Sequence, residues 1–221
     1  MTAGQDDDDG PGGVEPVGVG PWPGGPPAWP QLVVDGGQRY DPELLANGDA
    51  RNGVDRYRYW TVEAIRADLD TRRHPFHVAI ENWAHDLNIG SVVRTANAFG
   101  AAAVHIVGRR RWTRRGAMVT DRYQHVHHHV DVSGLLEWSR SQGLPVLGVD
   151  NTPGSVPLEG YALPRGCVLL FGQESVGLSE AARAGCDDVL AIAQFGSTRS
   201  INASAAGAIA MHAWIVQHAS S

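Results

Sequence analysis

The chain of 221 residues contains no lysine, and all 18 of its basic side chains are arginines. That absence removes a Walker-type phosphate loop and a Schiff-base lysine from the candidate chemistries. Cysteine is nearly absent too. Cys167 and Cys186 stand in or beside apolar runs rather than at ligand spacing, which suits reduced thiols and leaves no zinc site in view. No apolar run approaches the roughly 18 residues of a membrane helix, and the amino terminus shows neither a basic n-region nor an apolar h-region. The expectation is a soluble, cytoplasmic protein. No GxGxxG follows an apolar run, which disfavours a nucleotide-dependent oxidoreductase.

What is present is unevenly distributed. The formal charge of −6 comes from residues 1–75, which hold 13 acids against 7 arginines, whereas residues 76–221 hold 11 of each. Residues 1–30 include 15 Pro or Gly and the run Asp6 to Asp9. Such a composition cannot bury enough apolar surface to offset its ordering entropy, so a disordered acidic tail is expected. Residues 31–75 read as an N-terminal extension, loosely ordered as far as Asn52. Within it, Val54 to Asp70 carries Tyr57, Trp60, Ala64 and Leu69 near helical spacing and predicts one amphipathic helix.

From residue 76 onward, apolar runs alternate with helical patterns. Strands are expected at His77–Ile80, Ala103–Val107, Pro145–Val149, Cys167–Phe171 and Val189–Ala193. Helices are expected at Leu87–Phe99, Leu135–Ser141 and Ser179–Gly185, and from Ser200 or Asn202 onward. The alternation predicts an α/β domain over residues 76–221, a mainly parallel sheet with helices on both faces. In open sheets of this kind the ligand lies at loops leaving the carboxyl ends of strands. Two such loops carry the candidate chemistry. Gly172 and Gly177 bracket one loop and permit close backbone approach, with Glu174 at its tip; the other, Gln194 to Arg199, leads to Ser200 and Asn202. Ser200 and Asn202 also suit simple helix capping. The last helix sets Ala203, Ala206, Ala210 and Ala213 at helical spacing, a face that a neighbour can approach closely. On the Leu87–Phe99 helix, Asn88 and Arg94 lie six apart and are expected towards one end and side. A surface salt bridge is the plain alternative for Arg94.

Two clusters remain. Arg109, Arg110, Arg111, Arg114, Arg115 and Arg122 fall within 14 residues, interleaved with Trp112 and Tyr123. Guanidinium groups fork onto phosphates and stack, while aromatics offer faces to unpaired bases, so this is the composition of an RNA-contacting loop. The second cluster, His125 to His129 in HVHHHV, puts His127 and His129 on one face of a strand and His128 on the other. Zinc would need further ligands at defined spacing, so a polar strand flanking the arginine loop is the preferred reading and no metal is assigned.

Three segments, NIGSVVRTANAFGA, LLFGQESVGLS and IAQFGSTRSINASAAGAI, stand in fixed order. Together they resemble the three motifs of the SpoU/TrmH ribose methyltransferases of the SPOUT superfamily, and the resemblance covers residues 77–217. It implies a carboxyl-terminal trefoil knot, an exception to the rule that chains do not thread loops. It further implies a homodimer, S-adenosylmethionine bound at the knot, and methylation of a ribose 2′-hydroxyl of tRNA or rRNA. By position, the resemblance assigns catalytic roles to Asn88, Arg94, Glu174, Ser200 and Asn202, and cofactor binding to the backbone around Val149, Gly172, Ile192 and Ile201. Arg109, Arg110, Arg111, Trp112, Arg114 and Arg115 remain the candidate RNA contacts. Ala193, Gln173 and Ala203 depart from the usual Pro, Asn and Val, and none of them carries assigned chemistry. The extension does not resemble the ribosomal-protein-like domain of several rRNA-modifying members, which tilts the expectation towards tRNA. A catalytically silent RNA-binding protein of the same fold is the alternative.

Overall fold

Apolar runs too short for helices and rich in Val, Ile and Leu pair into parallel sheets where helices can cover both faces. The structure, a computed structural model, describes residues 18–82, 88–173 and 176–219, without the side chain of Arg115. The expected disorder of residues 1–17, and Glu174, lie outside the described residues. The chain divides into two compact units, Met1–Ile65 and Arg66–Ser221.

In the first unit, β1 (Val33–Val34) and β2 (Gly37–Gln38) form a short antiparallel pair, and α1 (Pro42–Asn47) begins at Asp41, whose side chain accepts from the Glu43 N–H at 2.9 Å. Residues 18–30 are not the unstructured stretch that composition predicts. Val19 bridges to Asp49, the Trp22 N–H donates to the Leu45 carbonyl at 2.8 Å, and the Tyr59 hydroxyl donates to the Gly20 carbonyl at 2.6 Å. Aromatic side chains supply what Pro and Gly cannot: Trp22 meets the Tyr59 ring edge-on at 5.4 Å. Burial alone would raise the Asp49 carboxyl. Hydrogen bonds from the Arg51 guanidinium and from the Tyr59 and Arg51 N–H groups hold it at about 2 instead.

The helix expected over Val54 to Asp70 is shorter. A 3-10 turn at Asp55–Tyr57 precedes α2 (Val62–Asp70), and Tyr59 between them has φ +63°, which no helix accommodates. The unit boundary falls within α2, earlier than the expected division at 75/76. Arg66 and Arg73 explain why: they donate to the carbonyls of Arg122 (2.5 Å) and Tyr123 (2.6 Å) within the second unit.

The second unit runs β3 (His77–Asn82), α3 (Asn88–Ala98), β4 (Val104–Gly108), β5 (Val126–His129), α4 (Val132–Gln142), β6 (Val146–Val149), β7 (Val156–Pro157), β8 (Val168–Phe171), α5 (Glu180–Gly185), β9 (Asp188–Ala191) and α6 (Ala203–His218). The strands form one seven-stranded sheet in the order β5-β4-β3-β8-β6-β9-β7, with every pairing parallel. Strand β7 lies within what the sequence suggests is only a connection. Side chains alternate between two cores: Leu169 and Phe171 of β8 join one with Val92 of α3 and Trp214 of α6, and Val168 and Leu170 join the other with Leu135 of α4 and Ala182 of α5. Helices therefore cover both faces.

The small-residue face of α6 allows it to pack on α3. At Gly207 an added Cβ would meet Val92 at 3.6 Å and Phe171 at 3.9 Å. Trp214 is fully buried, 4.5 Å from the Phe76 ring, and its Nε1 donates to the carbonyls of Pro164 and Arg165.

Candidate functional site

Strands β8 and β9 are not neighbours, because β6 lies between them. The site is therefore built from three strand ends, one more than the two loops expected. A cavity of about 320 Å³ opens there, lined by residues following β6, β8 and β9 and by the start of α6. Val149, Gly172, Ile192 and Ile201 all line it, and Ser200 does as well. The positions assigned from separate motifs thus meet in one hollow.

The loop after β8 is tight because its backbone closes on itself. Gln173 and Gly177 exchange both N–H···O bonds, at 3.0 and 2.8 Å. A Cβ on Gly172 would stand 2.0 Å from the Gly177 carbonyl carbon, so no side chain fits at that position. Gly177 has φ +69°, and a Cβ there would meet the Asp150 carboxylate at 2.5 Å. Two buttresses hold the loop's end: Asp150 Oδ2 accepts from the Leu178 N–H at 2.9 Å, and Oε2 of the fully buried Glu81 accepts from the Ser179 N–H at 2.8 Å. Ser179 in turn caps α5 through its hydroxyl.

Between Ile201 and Ala203 of the lining, Asn202 is the N-cap of α6, its Oδ1 accepting from the N–H groups of Ser204 and Ala205. Its Nδ2 donates to Asn88 Oδ1 at 2.9 Å, so capping and site roles coexist in one side chain. Residues 114 apart in sequence are thereby joined. Ser200 precedes the cap and takes no part in it.

Arg94 is placed differently from the expectation. Six residues advance a helix by about 600°, leaving Asn88 and Arg94 roughly 120° apart in azimuth and about 9 Å apart along the axis. Asn88 is accordingly buried and Arg94 exposed, and Arg94 does not line the cavity. Among the described residues it makes no ion pair.

The arginine segment leaves β4 at Gly108 and exposes Arg109, Arg110, Arg111 and Arg114. Trp112 is half-buried with the Arg114 guanidinium 5.8 Å from its ring centre, and Arg114 pairs with Asp121 at 3.5 Å. Arg122 gives its carbonyl to Arg66. Gln194 and Arg199, the ends of the second candidate loop, line the cavity, and so do Asp150, Asn151 and Thr152, which had not been picked out in the sequence. The polar run Asp150-Asn151-Thr152, directly after an apolar strand, was the available signal.

The histidine strand alternates as expected, but its partners were not foreseen. His77 Nδ1 and His105 Nε2 lie 3.0 Å apart, and His105 Nδ1 and His129 Nε2 lie 2.9 Å apart, forming a ladder across β3, β4 and β5. His127 stacks on His105, and Trp138 closes over it at 4.1 Å. On the other face, His128 Nε2 bonds to the Gly108 carbonyl. Burial, and then the neighbouring histidines, push His105 far below the usual imidazole range; burial and His127 push His77 down to about 4. Burial thus favours the neutral imidazoles along the ladder.

Comparison with known proteins supports the picture these loops form. The model of the SpoU rRNA Methylase family matches residues 75–212. An uncharacterized tRNA/rRNA methyltransferase of Mycobacterium avium (strain 104) is 32% identical over 141 residues, covering 61% of this chain and 45% of its own. The tRNA (guanosine(18)-2′-O)-methyltransferase of Escherichia coli (strain K12) is 27% identical over 149 residues, covering 66% of this chain and 65% of its own. The chain thus spans between about half and two thirds of the length of these curated relatives. In fold, it is similar to the SpoU methyltransferase AviRb from Streptomyces viridochromogenes, solved with AdoMet. That match has a TM-score of 0.60 and 22% identity, and covers 70% of this chain and 62% of the other. With the second and third motif segments lining one cavity, the first tied to the third by the Asn88–Asn202 bond, and the family model spanning residues 75–212, the chain belongs to the SpoU rRNA methylase family.

Proposed function

We propose that the protein transfers the methyl group of S-adenosylmethionine to a ribose 2′-hydroxyl of tRNA or rRNA, with tRNA favoured. The observation that carries this reading is the convergence of Val149, Gly172, Ile192 and Ile201 on one cavity, with Ser200 in its lining and the Asn202–Asn88 bond beside it. The wall suits an adenosyl sulfonium: Val149, Phe171, Ile192 and Ile201 offer apolar surface, while Asp150, Asn151 and Thr152 offer hydrogen-bonding groups. The related Escherichia coli enzyme, named for 2′-O-methylation of a tRNA guanosine, supports the acceptor. The same reading carries the trefoil knot in the carboxyl-terminal chain and a cytoplasmic location.

The sulfonium supplies an activated methyl group, so the protein's work is placement and charge. Gly172 and Gly177 let the loop backbone close tightly at the cavity wall, and the Asp150 and Glu81 buttresses hold it there. Asn88 and Asn202, each oriented by the other, present amide groups towards the ribose together with Ser200. Glu174, outside the described residues, belongs to the same set by motif. Arg94 carries a guanidinium with no ion-pair partner among the described residues, able to stabilise negative charge developing on the 2′-oxygen. Binding of S-adenosylmethionine by calorimetry, together with methyl transfer to bulk RNA, tests the assignment. Binding without transfer would identify a silent RNA-binding protein instead.

The arginine segment is the RNA-docking element in this reading. Replacing Arg110, Arg111 and Arg114 together with Ala should weaken RNA binding, and each lost phosphate contact should flatten the log-log salt slope by about 0.7 to 0.9. Affinity for S-adenosylmethionine should not change. A slope equal to that of the unmodified protein would make the segment a solvated surface.

The protein works as a homodimer in the same reading. Trp214 of α6 is fully buried in the core. The exposed apolar stripe of α6 is instead Ile209 and Val216, at 43% and 56% exposure, one helical face shared with Ala205 and His212. Sedimentation should give a dimer at micromolar concentration. A stable monomer that still methylates RNA would remove this claim.

A further inference from the structure

Asn82 ends β3 with its side chain fully buried, and it does not touch the cavity. Its Nδ2 donates to two carbonyls of the arginine segment, Arg109 at 2.6 Å and Arg111 at 2.9 Å, while its own carbonyl accepts from the Arg109 N–H at 2.8 Å. Only a donor can stand between two carbonyl oxygens, so the amide orientation is fixed by its surroundings. The segment enters through Gly108 at φ +101°, a backbone turn that L side chains rarely adopt. Its exit is held separately. The 3-10 turn Arg114–Ala117 lies on α3 at Gly90, where an added Cβ would stand 2.7 Å from the Ala117 nitrogen and 2.9 Å from the Gly116 carbonyl carbon. Both ends of the segment are thus tied to buried backbone, one to β3 and one to the first turn of α3.

We propose that these two clamps, the Asn82 amide and the Gly90–Gly116 crossing, preset the arginine segment as a rigid RNA-docking platform, with Asn82 as a positioning residue for the phosphate-binding arginines. The proposal rests on the reading of the segment as an RNA contact. An isolated loop of this length would lose much of its binding energy to ordering on contact with RNA. Two clamps remove that loss before the RNA arrives. They also attach the platform to α3, the helix that starts at Asn88, so phosphate docking and ribose placement share one support.

Asn82→Asp keeps the size of the side chain and replaces the donor with a carboxylate facing two carbonyls. It should raise the RNA dissociation constant about tenfold or more and flatten the salt slope by at least one contact's worth, about 0.7 to 0.9. S-adenosylmethionine affinity and the rate at saturating RNA should stay within twofold, a split between KM and kcat that general destabilisation would not produce. Gly116→Ala, whose Cβ would press on the Ser91 N–H at 3.1 Å, strikes the other clamp and should shift RNA affinity in the same direction, whether or not Asn82→Asp folds. The triple arginine variant separates the two levels. If it leaves the salt slope unchanged, the segment does not contact RNA and both readings fall. If it flattens the slope while Asn82→Asp and Gly116→Ala bind RNA like the unmodified protein, the positioning inference alone is overturned.

Discussion

Arg94→Ala should lower the single-turnover rate of methyl transfer by about 10² to 10³, the loss typical of one donor that stabilises charge developing in the transition state. Folding and S-adenosylmethionine affinity should be untouched. The guanidinium is exposed, makes no ion pair among the described residues and lies off the cavity wall, so its truncation belongs to the class of surface changes worth within about 0.5 kcal/mol of stability. A large kinetic effect beside a negligible thermal one is what distinguishes a residue that meets the ribose from one that holds the fold. Arg94→Lys should recover only part of the rate, because an ammonium keeps the charge without the planar fork that can hold phosphate and ribose oxygens together. Rates for Arg94→Ala close to those of the unmodified protein, measured at saturating S-adenosylmethionine, would mean that the catalytic charge comes from elsewhere.

The second large effect is on stability and comes from the histidine ladder. His77, His105, His127 and His129 all bind protons less readily folded than unfolded, first because they are buried and then because other histidines, His125 and His128 included, stand near them. Stability is therefore full above the ordinary imidazole pKa of about 6.5 and falls as the pH drops from there through about 4, where His77 itself titrates. Each histidine kept neutral contributes a slope of about 1.4 kcal/mol per pH unit within that window. Urea midpoints at pH 7 and pH 5 read it directly. His105→Leu should remove part of the slope while lowering stability at pH 7 by about 1 to 3 kcal/mol, since His77 Nδ1 and His129 Nε2 lose their partner. Equal losses for both proteins between pH 7 and pH 5 would show that the ladder does not govern acid sensitivity.

The parallel sheet was legible because its strands are short continuous apolar runs, covered on both faces, and because helices with recognisable caps separate them. Ser179 caps α5 at the position the pattern suggests, while Asp131 caps α4 and starts it three residues before the expected Leu135. What escaped was order in space. Nothing local in LPVLGV says that β6 inserts between β8 and β9, so the third wall of the cavity, Asp150 to Thr152, carried no mark of its role. The histidines show the same limit. Alternation placed His127 and His129 on one face, but the partners that make them a ladder come from β3 and β4, at register positions that only strand pairing decides. Residues 18–30 escaped for a different reason. Composition weighs Pro and Gly against ordering, whereas a few aromatic contacts and backbone bonds to Leu45 and Asp49 suffice to place the segment. Among the residues named by motif, Gly172 and Ile201 line the cavity, whereas Arg94, whose side-chain direction was inferred from helical spacing, is exposed and off its wall.

The most direct test of the central claim is nucleoside mass spectrometry of RNA methylated in vitro. The purified protein is incubated with methyl-labelled S-adenosylmethionine and with unmodified tRNA and rRNA separately, and the products are digested to nucleosides. Label is expected in a 2′-O-methylated nucleoside, with tRNA the better acceptor, none with Asn202→Ala, and an initial rate about 10² to 10³ lower with Arg94→Ala. Label carried on a base, or S-adenosylmethionine binding with no transfer to either RNA, would contradict that claim.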